Sequence, residues 1–202
     1  YRRVVCALPS DAKLRRLSGL LGRRDEPAVV FTEFRHSLEA AVAVVAKRRT
    51  VAPLHGGLSL AERRAALDLF LSGRASVLMA TDVAGLGLNL HTRARWVINL
   101  DIPWNPARLE QRIGRVDRIG QTHVVRALNF VLEDTVEYRV QEVLHEKLAI
   151  ILEEFGVDKT GDILDSAQAE QLFDNLYVEA ILHPENLDTT VESLLTQVRR
   201  QA

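Results

Sequence analysis

Residues 104–121 read WNPARLEQRIGRVDRIGQ, and this stretch carries most of what the sequence says about fold and function. Pro106 suits the first position of a helix, so a helix is predicted to begin there. At 3.6 residues per turn, Gln111, Arg115 and Arg118 would fall on one face of it. Two guanidiniums and one amide on the same face would suit a phosphate group, because a guanidinium is a planar, permanently charged fork of donors.

A plainer interpretation of the same stretch is an exposed basic helix. In that case Glu110 and Asp117 would pair with the arginines as intrahelical partners. Gly120 would end the helix under either interpretation, since glycine is the preferred residue just past a helix terminus. The arginine count alone does not separate the two.

Composition limits the classes of protein to which the chain can belong. Its 202 residues are 47% hydrophobic, which is enough for one domain with a sizeable core plus an appendage. Lys and Arg number 26 and Asp and Glu 27, so any nucleic-acid site must be a local basic patch rather than a global field. The candidate patch consists of Arg93, Arg95, Arg108, Arg112, Arg115, Arg118 and Arg126.

The single cysteine, Cys6, excludes an intrachain disulfide and a cysteine-type metal site, and no metal site is expected. No apolar run has the length of a membrane span and no signal peptide is visible, so we expect a cytoplasmic protein without a membrane partner. The chain opens with Tyr1 rather than Met, from which we expect a fragment of a longer protein.

Short apolar runs alternate with helical patterns along the chain. Strands are predicted over 28–34, 50–54, 76–81, 96–100 and 124–131, with one helix before them over 11–22 and helices between them over 37–48 and 59–71. Ser59 and Glu62 form a capping-box pattern at the start of the third of these helices. The alternation predicts an α/β fold, a parallel sheet of five to six strands with helices on both faces.

In parallel sheets, ligands bind at the carboxyl ends of the strands. The candidate motifs all follow predicted strand ends: His55-Gly56, Thr81-Asp82, Asp101 and the arginine helix. Beyond the last strand, 135–155 is predicted to form a long helix with an apolar stripe, followed by a helical appendage. The G-x-x-x-x-G-K-[ST] loop that cradles nucleotide phosphates is absent, so this chain is not expected to hydrolyse ATP by itself.

The pattern Q-x-x-G-R-x-x-R-x-G-Q, preceded by D-x-P-W-N-P, resembles motif six of superfamily 2 helicases and translocases. Within that superfamily it is most similar to the Swi/Snf-type branch and its RapA-like bacterial translocases. VVFTEF at 29–34 is similar to motif four, LHGGLSLAERRAALDLFLSG at 54–73 to the segment after it, and VLMATDVAGLGLNL at 77–90 to motif five.

The resemblance implies a domain organisation. Residues 1–23 would form a lead-in segment and helix, and 24–156 a RecA-like helicase C-terminal lobe with a brace helix. Residues 157–202 would form a helical appendage of unknown role.

The resemblance also implies roles toward ATP. Arg118 matches the arginine finger and Arg115 a second phosphate-contacting arginine, and Gln111 would position these groups or the nucleotide. Gly85 and Gly87 would let the backbone approach the nucleotide. The alternatives are surface ion pairs for the arginines, a solvated amide for Gln111 and a tight turn for the glycines.

Other positions match the family's ribose and nucleic-acid contacts. Asn89 stands where relatives contact ribose or motif six. Thr81 and Gly56 match contacts to nucleic-acid phosphates, and Asp82 would orient Thr81 or motif six. Arg63 matches a backbone-contacting position too, but it could equally be a helix-surface arginine that pairs with an acid.

The resemblance therefore implies the second motor lobe of an ATP-driven translocase on double-stranded DNA. ATP and Mg²⁺ would be held mainly by an N-terminal RecA-like lobe of the same enzyme, in the bacterial cytoplasm near the nucleoid, and a protein complex could be the object remodelled. One alternative is the lobe of a strand-separating helicase on DNA or RNA. Another is a non-catalytic RecA-like interaction module.

Overall fold

The structure, a computed structural model, describes residues 12–82, 88–103 and 106–131, together with scattered residues between 171 and 196. The chain divides into two compact units. The first comprises Tyr1–Ile102 and Arg112–Phe130, and the second comprises Pro103–Gln111 and Val131–Ala202. The predicted domain boundaries stay predictions, and the expected brace helix at 135–155 lies outside the described residues.

The first unit is built on a sheet of five parallel strands, which confirms the predicted α/β architecture. The strands stand in the order β2-β3-β1-β4-β5. Every pairing is parallel, with Thr32 opposite Thr81 where β1 and β3 end. The strand bounds are β1 Ala28–Thr32, β2 Val51–Leu54, β3 Val77–Thr81, β4 Trp96–Asn99 and β5 Arg126–Asn129.

Four helices belong to the described part of the chain before residue 132. They are α1 Ala12–Gly22, α2 Arg35–Val45, α3 Leu60–Leu71 and α4 Pro106–Ile113. The predicted capping box at the start of α3 is confirmed, since the Ser59 hydroxyl accepts from the Glu62 amide at 3.3 Å and the Glu62 carboxylate accepts from the Ser59 amide at 2.8 Å. This reciprocal pair satisfies two of the helix's unpaired N–H groups.

Side chains of the sheet alternate between two cores. On one face, Phe31 of β1 packs with Phe70 of α3. On the other face, Val30 of β1 packs with Leu17 of α1 and Leu38 of α2. A strand covered on both faces needs apolar residues at every position, which is why β1 reads as an unbroken apolar run.

In the second unit, the described residues between 171 and 182 are helical. A 3₁₀ turn follows at Pro184–Asn186, and residues 189–193 are helical again. Within the described ranges, no helix is both long enough and apolar enough to cross a lipid bilayer.

Glu26 ties together the loops at the amino ends of the strands. Its carboxylate accepts a 2.6 Å hydrogen bond from the Trp96 indole N–H and a 2.8 Å hydrogen bond from the Arg95 guanidinium. These two bonds, that from Trp96 contributing most, lower the pKa of Glu26 below its ordinary value. Loop 23–27 is thereby fixed to the first residue of β4.

The Glu26 contacts predict an acid-sensitive component of stability. Because the folded-state pKa of Glu26 is lowered, its contribution is present above the ordinary carboxyl pKa of about 4.3 and is lost as the pH falls through the lowered value. In thermal unfolding followed by circular dichroism between about pH 6 and pH 3, Glu26→Gln should flatten the fall in Tm. Trp96→Phe, which removes one donor, should give an intermediate slope. Parallel curves for all three proteins would contradict the assignment.

Candidate functional site

The carboxyl ends of the central strands bring together several of the predicted residues. His55 and Gly56 follow β2, Thr81 and Asp82 end and follow β3, and Asp101 comes two residues after β4. Because β2, β3, β1 and β4 are neighbours in that order, these residues line one edge of the sheet. We call it the carboxyl edge, and the prediction that these motifs share it is confirmed.

Arg112 is the centre of the carboxyl edge. It is only 3% exposed, and its guanidinium forms two hydrogen bonds of 2.6 Å to the two carboxylate oxygens of Asp82. It also donates to the Asp101 carbonyl at 2.7 Å and to the Asn99 side-chain oxygen at 3.2 Å. The guanidinium lies 5.7 Å from the centre of the Phe31 ring. A buried arginine matched so completely is fixed in one geometry.

Two further contacts extend this network across the edge. The Asn99 amide donates to the Asn129 side-chain oxygen at 2.8 Å, which carries the network to β5. Asp101 accepts from the Thr32 hydroxyl and, at 3.4 Å, from the Glu33 amide, and Lys13 lies 4.0 Å from its other oxygen. The Asp101 carboxylate therefore links the segment after β4 to the end of β1 through these hydrogen bonds.

The arginine stretch does not form the single helix that the sequence predicted. Helix α4 ends at Ile113. A turn follows in which the Val116 and Asp117 amides both donate to the Ile113 carbonyl at 2.9 Å. The expectation that Gln111, Arg115 and Arg118 share one helical face was therefore wrong. Gln111 lies on the helix, whereas both arginines follow its end.

The physical reason is the burial of Val116. It is fully buried in the core beside Leu90 and Val97, and the Leu90 amide donates to the Arg115 carbonyl at 2.9 Å. If the helix continued, the Arg115 carbonyl would instead accept from an amide within the helix. Gly114 also disfavours a longer helix, because glycine is a poor residue for a helix interior. The backbone exchanges helical bonds for tertiary ones. Gly120, at φ +99°, ends this turn rather than the helix.

Arg118 and Arg115 differ in their surroundings. Arg118 is exposed, and its guanidinium forms no ion pair with Asp117 or Glu110 and no hydrogen bond among the described residues, so the alternative interpretation as an intrahelical pair is not supported there. Arg115 is half-buried, and its carbonyl accepts from the Leu90 amide. The Arg118 carbonyl accepts from the Gln121 amide, and the Gln121 side chain donates to the carbonyls of His91, Ala94 and Val116 at 3.1 to 3.3 Å. The turn that carries both arginines is thus firmly anchored.

The predicted nucleic-acid contacts have mixed surroundings. Arg63 pairs with no acid among the described residues; it donates to the Gly56 carbonyl at 2.7 Å and the Leu58 carbonyl at 3.0 Å, and so holds the loop after β2. Gly56 is exposed there, whereas Thr81 is only 6% exposed. Asn89 is exposed, and its side-chain oxygen contacts the His91 ring. Gly85 and Gly87 lie outside the described residues.

Sequence reasoning placed Arg112 only in the candidate basic patch, and it did not predict that this side chain is buried and forms the most hydrogen bonds in the site. The only sequence feature that points to Arg112 is its position next to Gln111 within the arginine motif. Its burial could not be read from local spacing, because its partners Asp82 and Asn99 are 30 and 13 residues away. Asp82 does orient the arginine motif, as predicted.

With this geometry in hand, comparison with known proteins is decisive. The model of the helicase conserved C-terminal domain matches residues 12–120, more than half of the chain. The chain belongs to this family. The match covers the whole sheet up to β4 and the arginine turn, so the residues of the carboxyl edge all lie within the helicase C-terminal domain.

Curated relatives extend the match. The uncharacterized ATP-dependent helicase YqhH of Bacillus subtilis (strain 168) is 34% identical over 176 residues, covering 84% of this chain and 31% of that protein. The RNA polymerase-associated protein RapA of Erwinia tasmaniensis is 32% identical over 155 residues, covering 74% and 15%. The chain therefore spans about a third or less of these relatives, and its resemblance to RapA-like, Swi/Snf-type ATPases is confirmed.

Solved structures confirm the fold. The C-terminal part of the Fun30 ATPase domain matches with a TM-score of 0.61 at 24% identity, covering 77% of this chain and 52% of that one. The C-terminal domain of the DEAD-box protein Dbp5 matches with a TM-score of 0.55 at 26% identity, covering 71% and 78%. The predicted RecA-like architecture of the helicase C-terminal domain is thus correct.

The buried pair of Arg112 and Asp82 should be costly to break from one side. Arg112→Gln leaves the Asp82 carboxylate and the Asn99 amide oxygen without their donor, and a loss of about 3–5 kcal/mol in the free energy of unfolding is expected. Urea unfolding measures it, with the exposed Arg74→Gln as the matched control. The double variant Arg112→Gln/Asp82→Asn should lose less than the sum of its parts. A loss no larger than that of the control would contradict the assignment.

Proposed function

We propose that the chain is the second motor lobe of an ATP-dependent translocase on double-stranded DNA, of the Swi/Snf type. The observation that carries the proposal is Arg118, an exposed guanidinium without a carboxylate partner among the described residues, on a turn that buried contacts hold in place. A guanidinium in this state is free to bind a phosphate supplied by another domain. Membership of the helicase C-terminal domain family supports the same role.

The residues of this chain would act on a nucleotide held mainly by an N-terminal RecA-like lobe. ATP with Mg²⁺ supplies the γ-phosphate whose transfer to water drives the motor. Arg118 would contact that phosphate and stabilise the charge that develops on it, with Arg115 beside it. Gln111 would position these groups, and Gly85, Gly87 and Asn89 would lie against the nucleotide. The donor set fits, since an exposed arginine fork matches phosphate geometry.

The carboxyl edge would supply part of the DNA track. Gly56 is exposed on a loop that Arg63 holds by two backbone carbonyls, so its backbone is presented in a fixed position. Thr81 would contact a neighbouring phosphate. Such contacts are independent of sequence and weaken with salt. Asp82 and Arg112 would connect this track to the arginine turn, because one ion pair joins the end of β3 to the segment that bears Arg118.

Two alternatives remain as competing proposals. A strand-separating helicase on DNA or RNA would use the same arginines, and the similarity to the C-terminal domain of the DEAD-box protein Dbp5 is the observation that favours it. A non-catalytic interaction module would have no need for an exposed, rigidly supported Arg118. The relatives named RNA polymerase-associated suggest a protein complex as the remodelled object, in the cytoplasm near the nucleoid.

Arg118→Ala in the full-length enzyme tests the arginine-finger role. We expect kcat for nucleic-acid-stimulated ATP hydrolysis to fall by about 10³–10⁵, as for other arginine fingers, while DNA affinity without nucleotide stays unchanged. Arg64→Ala on the exposed face of α3 is the matched control. Unchanged hydrolysis in Arg118→Ala would favour the non-catalytic module.

The isolated 202-residue chain should show no ATPase activity, because it contains no G-x-x-x-x-G-K-[ST] loop.

The nucleic-acid preference separates translocase from helicase. For a double-stranded DNA translocase, ATPase activity of the full-length enzyme should be stimulated more by duplex DNA than by single-stranded DNA or RNA. Stimulation should fall with rising salt, because phosphate contacts release counterions. Preferential stimulation by RNA or single strands, with strand separation in an unwinding assay, would instead support the helicase alternative.

A further inference from the structure

The edge of the sheet opposite the carboxyl edge is strongly basic. There, three loops lead into the neighbouring strands β1, β4 and β5 over residues 23–27, 91–95 and 121–125. The only carboxylates in these loops are Asp25 and Glu26. Arginines of these loops and of the first position of β5 gather at this amino edge, and we call four of them the amino-edge arginines: Arg24, Arg93, Arg95 and Arg126.

Glu26 does not neutralise this cluster. Its carboxylate is committed to the Trp96 indole and to Arg95, with a salt bridge of 2.8 Å to the latter. Arg24 and Arg126 are held instead by the Trp96 ring, with guanidinium carbons 4.6 and 5.3 Å from its centre. Cation–π contact orients a guanidinium without occupying its N–H donors. Both side chains are exposed, so their donors remain available to a ligand.

The Arg93 side chain has no hydrogen-bond or ion-pair partner within the described part of the chain, and its Nε is buried without an acceptor. Its guanidinium packs against Gly73, where a Cβ would lie 3.2 Å from one terminal nitrogen. The absence of a side chain at Gly73 therefore makes room for it. Burying a donor without an acceptor is unfavourable, so this arginine is suited to a ligand that supplies acceptor oxygens.

A cavity of about 260 Å³ opens beside Arg93. One water molecule needs only about 10–15 Å³ of such space, so the cavity has room for a group several times larger than water. The Gln121 side chain joins two loops that line the cavity, because it donates to the His91 and Ala94 carbonyls. The polar residues that line it include Glu26, His91, Arg93, Arg95, Gln121 and His123.

We propose that this amino-edge cavity binds a phosphate group, with Arg93 as the principal ligand and His123 and His91 as further donors. A phosphate is favoured over a single carboxylate because it offers three acceptor oxygens to donors that come from two different loops. Arg24 and Arg126 lie at the same edge and would attract further negative charge. The phosphate could belong to free phosphate or a nucleotide, or to a nucleic-acid backbone. The site uses none of the residues proposed for ATP hydrolysis.

The test uses the full-length enzyme and two probes, inorganic phosphate and a duplex DNA without nucleotide. Arg93→Gln should weaken the binding of inorganic phosphate to the amino-edge site by about tenfold or more in isothermal titration, if free phosphate is the ligand. If the DNA backbone is the ligand, Arg93→Gln should lower the slope of log K against log salt concentration by about 0.9. Arg64→Gln removes the same charge from an exposed helix face and should change neither quantity.

His123→Glu keeps the test decisive if Arg93→Gln does not fold. His123 is exposed in a loop, so this variant places a negative charge in the cavity without disturbing the core. His123→Glu should weaken phosphate binding if free phosphate is the ligand, and it should weaken DNA binding if the DNA backbone is the ligand. If both variants bind phosphate and DNA as Arg64→Gln does, the inference is overturned. That result would leave the arginine-finger proposal untouched, because Arg118→Ala tests that proposal through ATP hydrolysis.

Discussion

The bidentate ion pair between Arg112 and Asp82 is the constraint on which the candidate site depends. A buried guanidinium is tolerated only when the energy lost on leaving water is recovered by well-placed acceptors. Here the end of β3 supplies the carboxylate, and β4 and the residues after it supply two further oxygens. Because the acceptors come from separate strands, the arginine can be satisfied only when those strand ends and the end of α4 are in register.

This alignment of the strand ends with the end of α4 also positions the other residues of the candidate site. Directly after Arg112 the chain leaves the helix, buries Val116 and presents Arg118 to solvent on an anchored turn. Directly before Asp82 lies Thr81, at the end of a central strand. One ion pair thus connects the segment proposed to meet the nucleotide with the segment proposed to meet DNA. A lysine could not replace Arg112, since it lacks the planar fork that binds both Asp82 oxygens and two further acceptors at once.

Charge is distributed differently at the two edges of the sheet. At the carboxyl edge, Arg112 is matched by acceptors and sequestered from water. At the amino edge, Glu26 satisfies only Arg95 and the Trp96 indole, and the other arginines are held by an aromatic ring or by packing against a glycine. A nearly neutral chain can therefore carry a strong local field, which overall composition conceals.

By itself, the sequence determined the elements and the family. Five apolar runs became five parallel strands, the Ser59–Glu62 pattern became a capping box, and the arginine motif indicated a helicase C-terminal domain, because propensity, capping and motif spacing are properties of neighbouring residues. Tertiary structure alone decided that the helix stops at Ile113, that Arg112 is buried while Arg118 is exposed, and that Arg24 and Arg126 meet at the Trp96 ring. Each of these outcomes depends on desolvation and on partners distant in the chain, whose energies exceed local helical preference and leave no periodic trace in the sequence.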